Sequence, residues 1–89
     1  MHGPVRHRAT PNFWRHFDRL PADVQRLARA CYALMKQNPR HPSVHLKKVG
    51  RFWSARIGLY HRALAIEQDQ DLIWFWIGTH AEYDSLVGR

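Results

Sequence analysis

The sequence predicts an α+β fold in which an N-terminal helical hairpin packs on a small antiparallel sheet. Two changes of pattern indicate this fold. Between residues 11 and 37 the apolar residues recur at helical spacing, whereas from Ser43 onward apolar and polar residues alternate with a period of two. Short loops join the alternating segments, which favours antiparallel neighbours. We therefore expect the order β-α-α-β-β-β in a single domain over residues 1–89, since a chain of this length holds one core.

The helical half begins after a short strand predicted in "VRHRAT", residues 5–10. Thr10 is suited to cap a helix whose first residue is Pro11. The Leu20-Pro21 pair interrupts that helix, and a second helix is predicted from about Ala22 to Gln37. Its apolar stripe consists of Val24, Leu27, Ala28, Cys31, Leu34 and Met35.

The strand half follows the breaker segment "NPRHP" at residues 38–42. Four segments are strand-like, namely "SVHLKKV", "FWSARI", "HRALAIE" and "LIWFWIG". Gly50, Gly58 and "QDQD" at residues 68–71 separate them as turns. Thr79 is placed to cap a final helical turn in "THAEYDSL".

Two smaller patterns allow more than one interpretation. Trp74 and Trp76 are two residues apart in a predicted strand, so they are expected to share a face, either as core or as platforms for stacking bases, with core favoured. His41 and His45 have helical spacing, but Pro42 lies between them. With one cysteine and no nearby carboxylate, a zinc site is not expected.

The charge is strongly uneven along the chain. Residues 1–62 hold 13 Lys and Arg against two acids, a net +11, whereas residues 63–89 hold one arginine against five acids, a net −4. The sum, +7, favours a polyanionic partner, either nucleic acid or an acidic protein. A single cysteine and the lack of a long apolar segment predict a cytoplasmic protein with no membrane partner.

Three segments in order, "LKKV", "WSARIGLYHRA" and "IWFWIGTHAEYD", resemble the RelE/ParE superfamily of toxins from bacterial type II toxin–antitoxin systems. The shared pattern is a basic strand, an Arg-Ile-Gly turn leading to Tyr-x-Arg, an apolar strand, and Gly-x-His ending near a tyrosine. "FWRHFDRLP" and "NPRHPS" fit the helical hairpin and its exit, so the resemblance covers nearly the whole chain. It implies a RelE-like fold and a cognate antitoxin that is acidic or carries an amphipathic helix.

RelE-like members are mRNA endonucleases that act on the ribosome, so the resemblance implies translation arrest with ribosome and mRNA as partners and without metal or cofactor. Such cleavage uses the ribose 2′-hydroxyl as nucleophile and needs a base, an acid and cations that stabilise the phosphorane. The resemblance assigns the cationic role to Arg56 and Arg62, because guanidinium groups bind phosphate oxygens in pairs and keep their charge. It assigns proton transfer to His80 and Tyr83.

The resemblance leaves several points open. Arg56 and Arg62 act together only if they face the same side of the sheet, and the turn between them leaves that parity undecided. Lys47, Lys48 and Arg51 are candidate RNA-binding residues, but the two lysines alternate, so only one can face the site. The sequence has no arginine near His80 where the nuclease pattern has one, which leaves the general base open. The alternative is a ParE-like poison of DNA gyrase without nuclease activity.

Overall fold

A computed structural model of the chain describes residues 6–88, which form three helices and one five-stranded sheet. The elements are β1 (His7–Ala9), α1 (Pro11–Asp18), α2 (Ala22–Gln37), β2 (Lys47–Val49), β3 (Phe52–Ile57), β4 (His61–Gln68), β5 (Asp71–Thr79) and α3 (His80–Leu86). The strand order across the sheet is β1-β5-β4-β3-β2. The predicted α+β class and the helical hairpin are confirmed.

The sheet is mixed, which differs in one respect from the antiparallel sheet predicted. Strands β2 to β5 form the expected antiparallel meander. Strand β1 pairs in parallel with β5, with His7 opposite Leu72 and Ala9 opposite Trp74. The chain leaves β1 through two helices, so it reaches the far edge of the sheet before the meander returns to β1. Residue 5 of the predicted first strand lies outside the described residues.

Both threonine caps predicted from the sequence are present. The Thr10 hydroxyl accepts a hydrogen bond from the Phe13 amide at 3.1 Å, with proline following it at the start of α1. At α3, the Thr79 hydroxyl accepts from the Glu82 amide at 3.2 Å, and the Glu82 carboxylate accepts from the Thr79 amide at 2.9 Å. This reciprocal pair fixes where α3 leaves the sheet.

The two faces of the sheet carry different side chains. On one face, α1 and α2 cover the main core, which includes Phe17, Cys31, Met35, Ala55, Ala63 and Ile77. On the other face, α3 covers only a small cluster of Leu64, Trp76 and Tyr83. We call this second, largely uncovered side the open face. Of the predicted stripe on α2, Ala28, Cys31 and Met35 are buried.

Trp74 and Trp76 do not share a face, so that prediction is wrong. The pairing of β4 with β5 shifts between Leu64, which is opposite Trp76, and Ala65, which is opposite Trp74. The extra residue on β5, Phe75, makes a bulge that reverses the alternation. Trp74 therefore packs in the main core and Trp76 in the cluster on the open face. Both rings are buried, as a core interpretation requires.

Strand β2 is shorter than the predicted segment "SVHLKKV". His45 has a positive φ of 49°, which interrupts the extended backbone before Lys47. The chain still follows β3 at this point, because the Arg56 amide donates to the Val44 carbonyl at 2.7 Å. Among residues 6–88, no helix combines the length and the apolar character needed to cross a membrane.

Candidate functional site: a basic cleft on the open face

Arg56 and Arg62 lie directly opposite each other on the adjacent strands β3 and β4. Residues paired in this way project from the same face of a sheet. Their neighbours Ala55 and Ala63 are also a pair and point into the main core. Both arginines therefore project from the open face, away from the helical hairpin, and the parity that the sequence left undecided is resolved.

A small polar cleft contains both guanidinium groups. Its volume is about 80 Å³, and its walls are His45, Lys47, Ser54, Arg56 and Arg62. Four of these five side chains are basic, and the fifth carries a hydroxyl. A cleft of this size and composition fits a phosphate group rather than an apolar ligand, because guanidinium and ammonium groups donate hydrogen bonds and accept none.

The arginine pair has no internal counter-ion. Within residues 6–88, neither guanidinium has a carboxylate oxygen within 4.0 Å. Arg62 instead donates to the carbonyl of His61 at 2.9 Å. Burial, together with the charge of Arg56, lowers the pKa of Arg62, while Tyr83 and Asp84 favour its charged form. Like charges directly opposite in a sheet destabilise it by roughly 0.2–1 kcal/mol, so a bound anion would relieve this repulsion.

Helix α3 carries the two predicted proton-transfer residues, and neither of them lines the cleft. Tyr83 is buried, and its ring centroid lies 6.0 Å from the guanidinium carbon of Arg62. The His80 ring lies 5.9 Å from the Tyr83 ring, and its Nδ1 is 3.3 Å from the Asp84 carboxylate. The His80 side chain is nearly half exposed. Tyr83 thus contacts Arg62 from inside the fold, whereas His80 is accessible to a substrate.

The three predicted RNA-binding residues occupy different positions. Lys47 is paired with Ser54 and lines the cleft. Lys48 points to the other face, where its ammonium lies 5.5 Å from the ring of Trp53. Arg51 lies in the β2–β3 turn, outside the cleft. Only Lys47 is therefore brought together with the two arginines, in agreement with the expectation that one lysine of the pair would face the site.

His45 is a cleft residue that was not among the predicted site residues. In the sequence it was considered only as a metal ligand with His41, and the described residues contain no group of three His, Cys, Asp or Glu side chains placed to hold a metal ion. The signal that could have identified it is its position two residues before Lys47, since residues at this spacing in extended chain share a face. His45 has a positive φ, which the sequence does not indicate, and it lines the same cleft as Lys47 nonetheless.

A larger cavity exists, but it lies elsewhere. About 310 Å³ of mostly apolar space lies between the helical hairpin and the sheet, bordered by core residues such as Phe17, Cys31 and Ala63. This cavity is on the opposite face of the sheet from Arg56 and Arg62. The charged chemistry is therefore concentrated in the smaller cleft.

No protein family model matches the sequence, and no curated protein matches it. Solved structures do match the fold. The RelBE2 toxin–antitoxin complex from Mycobacterium tuberculosis is 21% identical, with 88% of this chain and 100% of that chain covered and a TM-score of 0.64. The archaeal RelE–RelB complex from Pyrococcus horikoshii is 13% identical, with 86% and 96% covered and a TM-score of 0.65.

A third match is the YoeB/ParE toxin from Agrobacterium tumefaciens, which is 18% identical over 85% of this chain and 99% of that chain, with a TM-score of 0.65. The chain has the RelE/ParE fold. The resemblance seen in the sequence is confirmed at this level, since these identities establish the fold alone. Within the RelE/ParE fold of this chain, the basic cleft lies on the adjacent antiparallel strands β3 and β4, and α3 packs on β4 and β5.

Proposed function

We propose that this chain is the toxin of a type II toxin–antitoxin pair and that it cleaves mRNA on the ribosome without a metal ion. The observation that carries the proposal is the pair of facing arginines, Arg56 and Arg62, in one cleft with Lys47 and His45. The fold, which this chain shares with toxins of the RelE group, supports the same conclusion. Such a toxin acts in the cytoplasm, where ribosomes and mRNA are found.

In the proposed reaction, the ribose 2′-oxygen attacks the adjacent phosphorus and the bond to the 5′-oxygen breaks. A base removes the 2′-proton, and an acid gives a proton to the departing 5′-oxygen. Negative charge grows on the phosphorane oxygens as the new bond forms. Arg56, Arg62 and Lys47 stabilise that charge, because they are fixed donors placed before the reaction begins.

Two histidines lie on the open face near the arginine pair. His45 borders the cleft next to β2, whereas His80 belongs to α3, which packs on β4 and β5. Imidazole exchanges protons near neutral pH, so one ring serves as base and the other as acid. The buried ring of Tyr83 holds the Arg62 guanidinium in place. We therefore assign proton transfer to His45 and His80, and a positioning role to Tyr83.

The proposed protein partner is an acidic antitoxin. The structure from Mycobacterium tuberculosis is a toxin–antitoxin complex, and the structure from Pyrococcus horikoshii is a RelE–RelB complex. In this chain the basic cleft and the excess positive charge of residues 1–62 would attract acidic side chains. The complex should therefore dissociate more readily at high salt than at low salt.

The test is expression of the chain without an antitoxin, followed by primer extension on cellular mRNA and a plasmid-topology assay on the same cells. Cleavage within codons, with supercoiled plasmid intact, would support the nuclease. Gyrase-bound linear plasmid over intact mRNA would refute it and establish the ParE-like activity instead. A chain that causes neither effect and no growth arrest would refute the toxin assignment as a whole. An Arg26→Ala variant, altered at an exposed position on α2, serves as the matched active control.

A further inference from the structure

The cavity beneath the helical hairpin is large for so small a protein. Its volume of about 310 Å³ is roughly twice that of an engineered apolar cavity that binds benzene. Protein interiors are packed as densely as organic crystals and contain few voids larger than a water molecule. The walls include Ala28 on α2 and Ala55 and Ala63 on the sheet, all buried, so small side chains on both layers create the space.

The mouth of the cavity differs from its interior. Arg8 and Arg29 line it and are exposed, and no carboxylate oxygen of residues 6–88 lies within 4.0 Å of either guanidinium. His7 also lines it, and its Nδ1 accepts a hydrogen bond from the Trp74 indole at 3.1 Å. The proton of the neutral His7 ring is therefore on Nε2. The site thus combines an apolar interior with N–H donors and two cations that lack a counter-ion.

We propose that this cavity binds a small apolar carboxylic acid, with its apolar body inside and its carboxylate at Arg8 and Arg29. At about 30 Å³ for each non-hydrogen atom, the cavity holds a body of roughly ten such atoms. The deep walls are buried side chains such as Phe17 and Ile77, whereas Trp14 and Tyr32 line the cavity and are partly exposed, so an apolar body can reach the interior while a charged group stays near the arginines. The proposal is independent of the nuclease, since the cavity and the basic cleft are on opposite faces of the sheet.

The probe is naphthoate, which combines a ten-carbon apolar body with a carboxylate, and naphthalene is its neutral analogue. Binding to the purified full chain is followed by proton–nitrogen NMR and by thermal unfolding. At a tenfold excess over its Kd, naphthoate should raise Tm by roughly 6–11 °C. Ala28→Leu fills the cavity from the helix side and should abolish binding, and Ala63→Leu does so from the sheet if the first variant does not fold. Ala81→Leu, at an exposed position on α3, is the control and should bind normally.

The charge at the mouth is tested separately. Arg29→Gln should weaken naphthoate binding about five- to tenfold while leaving naphthalene unaffected, because only the acid uses the guanidinium. Absence of naphthoate binding, or binding that persists in both cavity-filled variants, would overturn the proposal. Equal binding of acid and neutral analogue would overturn the assignment to carboxylic acids. A structure with a partner's side chain in the cavity, together with no naphthoate binding to the free chain, would assign the cavity to a protein partner instead.

Discussion

Replacement of Arg62 by alanine separates a catalytic role from a structural one. If its guanidinium stabilises the phosphorane, the variant loses an interaction that is stronger in the transition state than in the ground state. Loss of one comparable oxyanion donor lowers the rate by about 10²–10³. RNA cleavage by Arg62→Ala should fall by this factor, and the toxin should no longer arrest growth.

The fold should survive the change, because the stability terms at Arg62 partly cancel. The variant loses the contact with the Tyr83 ring, worth about 0.5–1 kcal/mol. It also loses a partly buried hydrogen bond to the His61 carbonyl, worth about 0.5–1.5 kcal/mol. In return it relieves the repulsion from Arg56, worth roughly 0.2–1 kcal/mol. A net loss of about 1 kcal/mol corresponds to a Tm lower by about 4–8 °C.

The assay pairs single-turnover cleavage of a ribosome-bound mRNA with urea unfolding of the parent, Arg62→Ala, Arg56→Ala and the double variant. Because the repulsion between the two arginines is relieved by either single change, the double variant should be less stable than the sum of the single changes predicts. A folded Arg62→Ala protein that cleaves within about threefold of the parent would refute the catalytic assignment, since transition-state donors contribute far more. Loss of activity that follows loss of folding would instead assign Arg62 a structural role.

Three further changes test how the fold holds the site. Gly58→Ala should destabilise the protein by more than about 1 kcal/mol, because Gly58 has a φ of 65° and a Cβ there would lie 2.6 Å from the Leu27 side chain. Gly50 has a φ of 60° and open space around it, so Gly50→Ala measures the cost of the backbone conformation without a side-chain contact. Burial and the charge of Lys36 lower the pKa of His7 from its ordinary value of 6.5. The unfolded chain therefore binds more protons than the folded one, and the free energy of unfolding should fall as the pH drops below 6.5. His7→Gln should reduce this loss, as measured by urea titrations across that pH range. Thr79→Ala should cost about 1 kcal/mol by removing the cap of α3, and amide exchange should then be faster in α3 than in α2.

The parts of the fold that were predictable depend on local chemistry. Thr10 and Thr79 cap helices because a hydroxyl satisfies free amides within three residues, a relation visible in any short stretch of sequence. The second helix was predicted over the range observed, since its apolar spacing and the proline before it act locally. The parallel pairing of β1 with β5 was not predicted, because it joins residues more than sixty positions apart and no local pattern records it.

The site depends on strand parity, that is, on which face of the sheet each strand residue occupies. The alternation in the sequence predicts this face for some residues and fails for others. Each β-bulge shifts the alternation by one, and such a position leaves no clear mark in a sequence with aromatic residues on both faces. The bulge at Phe75 separated Trp74 from Trp76, although they are only two residues apart. The Gly58 turn, by contrast, holds three residues between Ile57 and His61, and this length is what places Arg56 opposite Arg62. A one-residue change in that turn would move one arginine toward the main core, where a charge without a partner is costly. The length of the turn is therefore as much a part of the basic cleft as the guanidinium groups themselves.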